Sequence, residues 1–348
     1  MAASKLAVGV LGASGYTGAE LLRLLAQHDG LRVTTLTGDR MAGKEIGEVF
    51  PHLAVQKLPK LVKIEDVDFS TLDVVFCCLP HGTTQEVLRD LPHNVKIVDL
   101  SADFRLYDPK LYQQVYGHPH AAIELQKEAV YGLTEHYRDK VRATRLVANP
   151  GCYTTTAELP LIPLLAEELI ERDPIVIDGK SGVSGAGRSL RENLLFSEAS
   201  DNFSAYGVGN HRHAPEIDQC LGDFAGGQVE VSFTPHLVPM GRGIFATIYV
   251  RLKDGVEVAD LQERLAEAYA EEPFVHVLPP KSLPSVKQVR GSNHCLIAVH
   301  PDRAAGRAIL LSVTDNLVKG ASGQALQNMN VMAGFAETSG LTIGPLYP

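Results

Sequence analysis

The side chains whose neighbours suggest chemistry are one cysteine, a pair of histidines and several arginines. Cys152 sits in Ala148-Asn149-Pro150-Gly151-Cys152-Tyr153-Thr154-Thr155. An apolar run from Arg145 to Ala148 leads into a Pro-Gly turn, and the cysteine opens a segment rich in Leu, Ala and Glu that reads as a helix. A thiol there faces unpaired backbone N–H groups and the positive end of the helix dipole. Both favour thiolate, the nucleophilic form. The competing account is a small buried cysteine filling a turn. His211-Arg212-His213 supplies imidazole for acid-base work and a guanidinium for an anion. An H-x-H pair also suggests metal, but no companion Cys or carboxylate cluster accompanies it, and no metal is expected. Arg105 lies just past a strand, Arg188 closes the loop Ser181-Gly182-Val183-Ser184-Gly185-Ala186-Gly187-Arg188, and Arg242 stands at the entry of a long strand. A guanidinium fork matches phosphate and carboxylate alike. For Arg105 a structural salt bridge to Asp103 competes, and the Ser-Gly loop could equally be a linker.

These groups are carried by a chain of 348 residues, long for a single core, so two domains are expected. Hydrophobic residues at 45% and charged residues at 21% describe an ordinary globular protein. The net charge of -9 argues against a nucleic-acid or anionic-membrane surface. Cys77, Cys78, Cys152, Cys220 and Cys295 are an odd number without framework spacing, which fits a reducing cytoplasm. Met1 to Lys5 runs directly into a strand-like segment with no export signal, and no apolar stretch approaches the roughly 18 residues of a membrane span.

The first half reads as an α/β domain. Leu6 to Leu11 is a buried-strand pattern, Gly12-Ala13-Ser14-Gly15-Tyr16-Thr17-Gly18 a glycine turn, and Ala19 to Leu25 a helix. Strand, glycine turn and helix is the order a nucleotide pyrophosphate needs. The spacing is G-x-x-G-x-x-G rather than G-x-G-x-x-G. Further strands are expected at Leu31 to Thr37, Val74 to Leu79 and Val95 to Leu100. Asp39 would favour a free ribose 2′-hydroxyl, whereas Arg40 with Lys44 would favour a 2′-phosphate, and NADP is expected. Pro80 and His81 turn at a strand end and should line the cofactor site, His81 as a wall rather than a catalyst. Residues 107–140 read as a long insertion with one short helix and no chemistry. After the Cys152 helix, expected to kink at Pro160 and Pro163, strands are expected at Ile175 to Ile177, Gln228 to Phe233, Gly243 to Leu252 and Arg307 to Val313. A helix follows from about Val258 to Glu271, and the pattern is that of an α+β domain. The predicted organisation is a Rossmann-like parallel-sheet domain, residues 1–150 plus a C-terminal helix about 321–348, and a second catalytic and oligomerisation domain, residues 151–320.

A dinucleotide site, one cysteine at a helix start and separate histidines and arginines together suggest attack of a thiolate on an activated acyl carbon. Phosphate leaves to give a thioester, and hydride from NADPH releases an aldehyde. Gly12 to Gly18, Asp99-Leu100-Ser101-Ala102-Asp103-Phe104-Arg105, Asn149-Pro150-Gly151-Cys152-Tyr153, Ser181 to Arg188, His211-Arg212-His213-Ala214-Pro215-Glu216-Ile217 and Pro235 to Gly243 occur in that order. Taken together they resemble the N-acetyl-gamma-glutamyl-phosphate reductases over essentially the whole chain. The resemblance implies NADPH-dependent reductive dephosphorylation of N-acetylglutamyl 5-phosphate to N-acetylglutamate 5-semialdehyde, a cytoplasmic step of arginine biosynthesis. It implies Cys152 as nucleophile, His211 as acid-base partner with His213 as fallback, Arg105 as a phosphate holder, and a dimer or tetramer through the second domain's sheet. Arg188, Arg212, His213 and Arg242 are assigned to the substrate. Gly12, Ser14, Gly15, Tyr16, Thr17, Gly18, Arg40, Pro80, Ser184, Gly185 and Asn316 are assigned to the cofactor. No nucleic acid, membrane or metal partner is expected.

Three readings compete. Aspartate-semialdehyde dehydrogenase shares the chemistry, but its cysteine and histidine motifs differ. A lysine-pathway reductase acting on a carrier-linked aminoadipyl phosphate would favour a basic docking face, against which the net charge weighs. A non-catalytic NADP sensor would have no use for Cys152, His211 and Arg105 together.

Overall fold

The computed structural model describes residues 5–348. Met1–Ser4, where the absence of an export signal was expected, lies outside the described residues. The chain divides into two compact units, one running to Pro150 and including Ala321–Thr342, the other Gly151–Gly320 with Ile343–Pro348.

The first unit opens with β1 (Leu6–Leu11), buried from Val8 onward, and α1 (Tyr16–Leu25). It continues through β2 (Leu31–Thr37), α2 (Ile46–Val49), β3 (Leu61–Val62), β4 (Val74–Cys77), α3 (Thr84–Arg89) and β5 (Lys96–Asp99). Then come α4 (Pro109–Tyr116), α5 (Ile123–Gln126), β6 (Ala129–Tyr131), α6 (Thr134–Ala143) and β7 (Leu146–Ala148). The strands form one parallel sheet in the order β3-β2-β1-β4-β5-β7-β6. The central strands are nearly continuous apolar runs because parallel sheets are covered on both faces. From β1 the chain winds outward to β2 and β3, then returns to β4 on the other side. That reversal is where ligands lie beyond the strand ends in open α/β sheets. Residues 107–140 hold more structure than one short helix: α4, α5, most of α6 and the edge strand β6. Polar, histidine-rich composition masked them, because burial of Tyr112, Tyr131 and Tyr137 rather than helix propensity holds them in place.

The second unit begins with α7 (Cys152–Ala166), a single helix through Pro160 and Pro163. Pro163 has no N–H for the Leu159 carbonyl, and the Tyr269 hydroxyl supplies the donor at 2.5 Å. Next are β8 (Ile175–Gly182), α8 (Phe196–Ala199), β9 (Ser204–Ala205), α9 (Ala214–Ala225), β10 (Val231–Val238) and β11 (Ile244–Arg251). α10 (Val258–Ala268), β12 (Val275–Val277), β13 (Cys295–Pro301) and β14 (Arg307–Thr314) complete it. The sheet is mixed, in the order β12-β13-β14-β11-β8-β10-β9. Burial alternates along β8 and β11, the sign of one covered and one open face. β10 continues through Pro235 to Val238, beyond Phe233, where the expected strand ended. The Pro235 carbonyl accepts from Tyr206 N at 3.1 Å, so the proline nitrogen also faces the edge, where β9 is only two residues long.

A π turn at Val318–Ser322 precedes the last helix, α11 (Gly323–Ala333), which belongs to the first unit. There Gln324 Nε2 and Asn328 Nδ2 donate to the Gly132 carbonyl at 3.0 and 2.7 Å. The sequence carries the first domain to residue 348, but the tail from Ile343 belongs to the second unit, where Leu346 N donates to Arg290 O at 2.7 Å. An extended tail has no periodicity from which that return could be read.

Gly12, at the carboxyl end of β1, has φ +76, and a Cβ there would lie 2.6 Å from the Cys78 carbonyl oxygen. Both facts demand glycine. Gly12→Ala should lower the stability of the first unit by about 1–3 kcal/mol in urea unfolding and weaken nicotinamide-dinucleotide binding by calorimetry. Unchanged values in both would show that the turn tolerates a side chain.

Candidate active site

Cys152 is half-buried and opens α7 directly after Gly151, whose extended backbone (φ -68, ψ 157) caps the helix without a side chain. The missing cap comes from another helix. Glu216 of α9, fully buried, accepts from Gly151 N at 2.8 Å and from Thr154 Oγ1 at 2.9 Å through the same Oε1. A carboxylate at this end of a helix is favourable electrostatically and satisfies donors that the helix cannot. From the other side Gly320 presses on the cysteine: a Cβ at 320 would lie 2.7 Å from Cys152 Cβ. Any larger residue would push the thiol out of place.

The histidines lie just ahead of α9, whose first turn contains Pro215. His211 Nδ1 accepts from His213 N at 3.1 Å, so the neutral ring carries its proton on Nε2. Burial, then the adjacent Arg212 charge, push His211 down to about 4, and near pH 7 it is a neutral donor. The buried Tyr153 ring packs edge-on against both histidines, 6.0 Å from His211 and 6.1 Å from His213. Tyr206 and Phe233 complete the wall at 5.5 and 5.3 Å from His211. The Tyr206 hydroxyl donates to Tyr153 Oη at 3.3 Å, and the Tyr153 hydroxyl donates to the His236 carbonyl at 3.0 Å. Tyr206 is exposed along its ring, but desolvation of its hydroxyl beside Tyr153 pushes it up to about 12, and burial pushes Tyr153 up further, so both stay protonated.

Other expected residues of this unit form a second group. Asn316 Nδ2 donates to Ser184 Oγ at 3.0 Å, and its Oδ1 accepts from Gly243 N at 2.7 Å, with Gly185 alongside. Arg242, assigned to substrate from the sequence, lies 3.4 Å from the buried carboxylate of Asp315. Asp315 also accepts from Gly291 N at 2.6 Å and Leu317 N at 2.8 Å. Arg188 and Arg212 are exposed.

In the first unit, Gly12 N donates to Thr37 Oγ1 at 3.0 Å and Ala13 N to the Thr37 carbonyl at 2.8 Å, tying the glycine turn to β2. Gly15 caps α1 without a side chain, no acidic residue occupies its first turn, and Ser14, Tyr16 and Thr17 border it with Gly18 buried behind. This is a cradle open to phosphate, and the residues fit a dinucleotide. Arg40 is exposed on the turn after β2, where Asp39 Oδ1 accepts from Ile64 N at 3.4 Å. The loop holding Pro80 and His81 is pinned by Asp103. Its carboxylate accepts from Gly82 N at 2.8 and 2.9 Å, Thr84 N at 3.2 Å, the Thr84 hydroxyl, and Tyr112 at 2.9 Å. Tyr112 comes from the stretch to which the sequence assigned no chemistry. Arg105 is buried, and its Nη2 donates to the Leu100 carbonyl at 3.1 Å. Burial is the main cause that pushes nearby Asp99 up to about 7.

His211 and His213 thus both pack on Tyr153, the residue after Cys152, whereas Arg105 and the glycine turn belong to the other unit. Sequence reasoning assigned no role to Tyr153, Tyr206, Glu216, Gly320 or Asp315, and considered Asp103 only as a salt-bridge partner of Arg105. Glu216 stood in the quoted motif His211 to Ile217, which was the available signal. Among the described residues no helix is long and apolar enough to cross a membrane, and no group of three or more His, Cys, Asp or Glu could hold a metal. None of the cysteines among them is in a disulfide.

Residues 7–144 match the semialdehyde dehydrogenase NAD binding domain and residues 152–316 the semialdehyde dehydrogenase dimerisation domain. The chain is 59% identical over 341 residues to a probable chloroplastic N-acetyl-gamma-glutamyl-phosphate reductase of Arabidopsis thaliana, covering 98% of this chain and 85% of that one. It is 59% identical over 344 residues to the N-acetyl-gamma-glutamyl-phosphate reductase of Afipia carboxidovorans, covering 97% and 98%. Among solved structures, aspartate semialdehyde dehydrogenase II of Vibrio cholerae complexed with ASA superposes with TM-score 0.73 at 16% identity, covering 95% of this chain and 99% of that one. Aspartate semialdehyde dehydrogenase with NADP from Candida albicans gives TM-score 0.67 at 18% identity, covering 95% and 99%. At such identities what is shared is the fold.

Two measurements test this geometry. Arg212→Ala removes a positive neighbour that disfavours the imidazolium, so the His211 ring resonance should titrate at higher pH than in wild type by NMR. An unmoved titration would mean that burial alone sets it. Glu216→Ala leaves the Gly151 N–H and the Thr154 hydroxyl without their acceptor and should cost about 1–3 kcal/mol in urea unfolding, with Glu216→Gln recovering much of the loss.

Proposed function

The chain belongs to the N-acetyl-gamma-glutamyl-phosphate reductase family, and from that membership we propose its reaction and the division of labour among its residues. The protein is an NADP-dependent oxidoreductase of arginine biosynthesis. It converts N-acetyl-L-glutamyl 5-phosphate, NADPH and a proton to N-acetyl-L-glutamate 5-semialdehyde, NADP and phosphate. The observation that supports the chemistry most is Cys152 at the first position of α7, its turn held by Glu216 and its neighbour Tyr153 packed on both histidines.

Cys152 attacks the acyl carbon as thiolate, the carbon–oxygen bond to phosphate breaks, and a thioester forms on the sulfur. NADPH supplies the hydride that reduces this thioester. Collapse of the resulting oxyanion releases the aldehyde and returns the thiolate, so the one proton consumed leaves with phosphate. Negative charge develops twice on the same carbonyl oxygen. His211 serves there as the acid-base partner from Nε2, because its Nδ1 is engaged by His213 N and its ring is neutral. His213, buried against Tyr153, positions it.

Gly12, Ser14, Gly15, Tyr16, Thr17 and Gly18 hold the pyrophosphate, Arg40 the 2′-phosphate, and Pro80 lines the site. Ser184, Gly185 and Asn316 are further cofactor contacts, supported by their mutual hydrogen bonding. Arg105 holds substrate phosphate, and Arg188 and Arg212 its carboxylate. Arg242 has a weaker claim, since Asp315 already occupies part of its charge. The protein works in the cytoplasm as a homodimer or homotetramer formed through the sheet of the second unit, consistent with the dimerisation-domain match.

The test is the reverse reaction with N-acetylglutamate semialdehyde, phosphate and NADP, followed as absorbance of the reduced cofactor. Turnover should require phosphate, fall by roughly 10⁴-fold or more in Cys152→Ala and by about 10²–10⁴-fold in His211→Ala. NADP binding without turnover of the free semialdehyde would instead point to a carrier-linked substrate or to a sensor.

A further inference from the structure

Residues 188–208 of the second unit form an arm with little regular structure beyond a 3-10 turn at Glu192–Leu194, α8 and β9. Leu190 is 97% exposed, Phe196 84% and Val208 63%, and Leu195, Phe203 and Tyr206 are exposed beside them. Single exposed apolar side chains are ordinary. This density within one short segment marks a surface that another surface covers. Arg188 and Arg191 against Glu192, Glu198 and Asp201 leave the arm close to neutral, so it does not select a strongly charged partner such as an acidic carrier.

The arm is continuous with the open face of the mixed sheet. Phe203 stacks on His236 of β10, with ring centroids 5.2 Å apart and planes 17° apart. Along β10 the residues that alternate with His236, Phe233 and Pro235, are buried, whereas Ser232 and Thr234 share its outward side. The helices α7, α9 and α10 pack on the strands from the buried side. On the outward side β11 and β14 present Phe245, Tyr249, Ile309 and Leu311, incompletely buried. Arm and sheet face both lie within residues 152–316, the part that matches a dimerisation domain.

We propose that the arm of residues 188–208 docks on a second copy of this chain, and that this docking fixes the wall of the active site in place. The inference rests on the dimer reading above and deepens it. At the base of the arm Tyr206 donates to the Tyr153 hydroxyl at 3.3 Å and packs 5.5 Å from the His211 ring. The backbone at Gly207 comes so close that a Cβ there would lie 3.2 Å from His211 Cδ2. An arm held by a partner therefore holds His211 and the Tyr153–Tyr206 pair in one arrangement, and an undocked arm releases them.

The experiment is sedimentation of the full chain with the double variant Leu190→Asp/Phe196→Asp, beside Val55→Asp, which charges an exposed apolar residue of the first unit. The arm variant should sediment as monomer with native circular dichroism, and its specific activity should drop roughly 10- to 100-fold, while Val55→Asp behaves as wild type. Hydrogen exchange on wild type needs no variant: amides of 190–208 should be protected at micromolar concentration and lose protection on dilution into monomer. An arm variant that remains a dimer, or wild-type arm amides that exchange alike in dimer and monomer, would overturn the docking. A monomeric variant with full activity would overturn the coupling to the site. Sedimentation and exchange need no substrate, so they decide the arm's role even if the proposed reaction fails.

Discussion

The placement of Cys152 in the second unit depends on one buried carboxylate. Glu216 projects from the first turn of α9 and accepts both the amide of Gly151 and the hydroxyl of Thr154. It thereby joins the start of the helix that carries Cys152 to the start of the helix that follows His211 and His213. Gly151 brings no side chain to its own cap, so a donor left there inside the core would cost about 1–3 kcal/mol. Gly320 closes the other side of the cysteine through backbone contact. The thiol is thus placed by groups more than sixty and more than one hundred and fifty residues away in the sequence.

The first unit uses the same device. Asp103 gathers the amides of Gly82 and Thr84 and the hydroxyls of Thr84 and Tyr112 on one carboxylate, which gives the loop after β4 a single course. In both units a loop that would otherwise be mobile is held by a buried acid whose cost of burial is offset by several donors. The result is preorganisation. Dipoles and donors are aimed before a ligand arrives, which is the condition under which they stabilise developing charge most.

Around Tyr153 the His211 imidazole and the two tyrosine hydroxyls are kept neutral. Burial holds the His211 ring unprotonated and the Tyr153 and Tyr206 hydroxyls protonated near pH 7. A neutral imidazole whose Nδ1 is occupied presents one donor, at Nε2.

Local pattern was enough for the parts governed by neighbours in sequence. The apolar run of β1, the glycine turn, the Pro-Gly start of α7 and the alternation along β8, β11 and β14 follow from periodicity and backbone restriction, and with the ordered motifs they disclosed fold and family. The edge strand β6, the course of β10 through Pro235, the return of the C-terminal tail to the second unit and the pairing of Arg242 with Asp315 were decided only in three dimensions. So were the roles of Glu216, Asp103 and Gly320. Burial and partners far along the chain fix these roles, through hydrogen bonds or strand pairing in most cases and through close approach to Cys152 for Gly320, and none of them leaves a local signal. Composition names the groups able to do chemistry, while the tertiary structure sets which of them meet and in what protonation state.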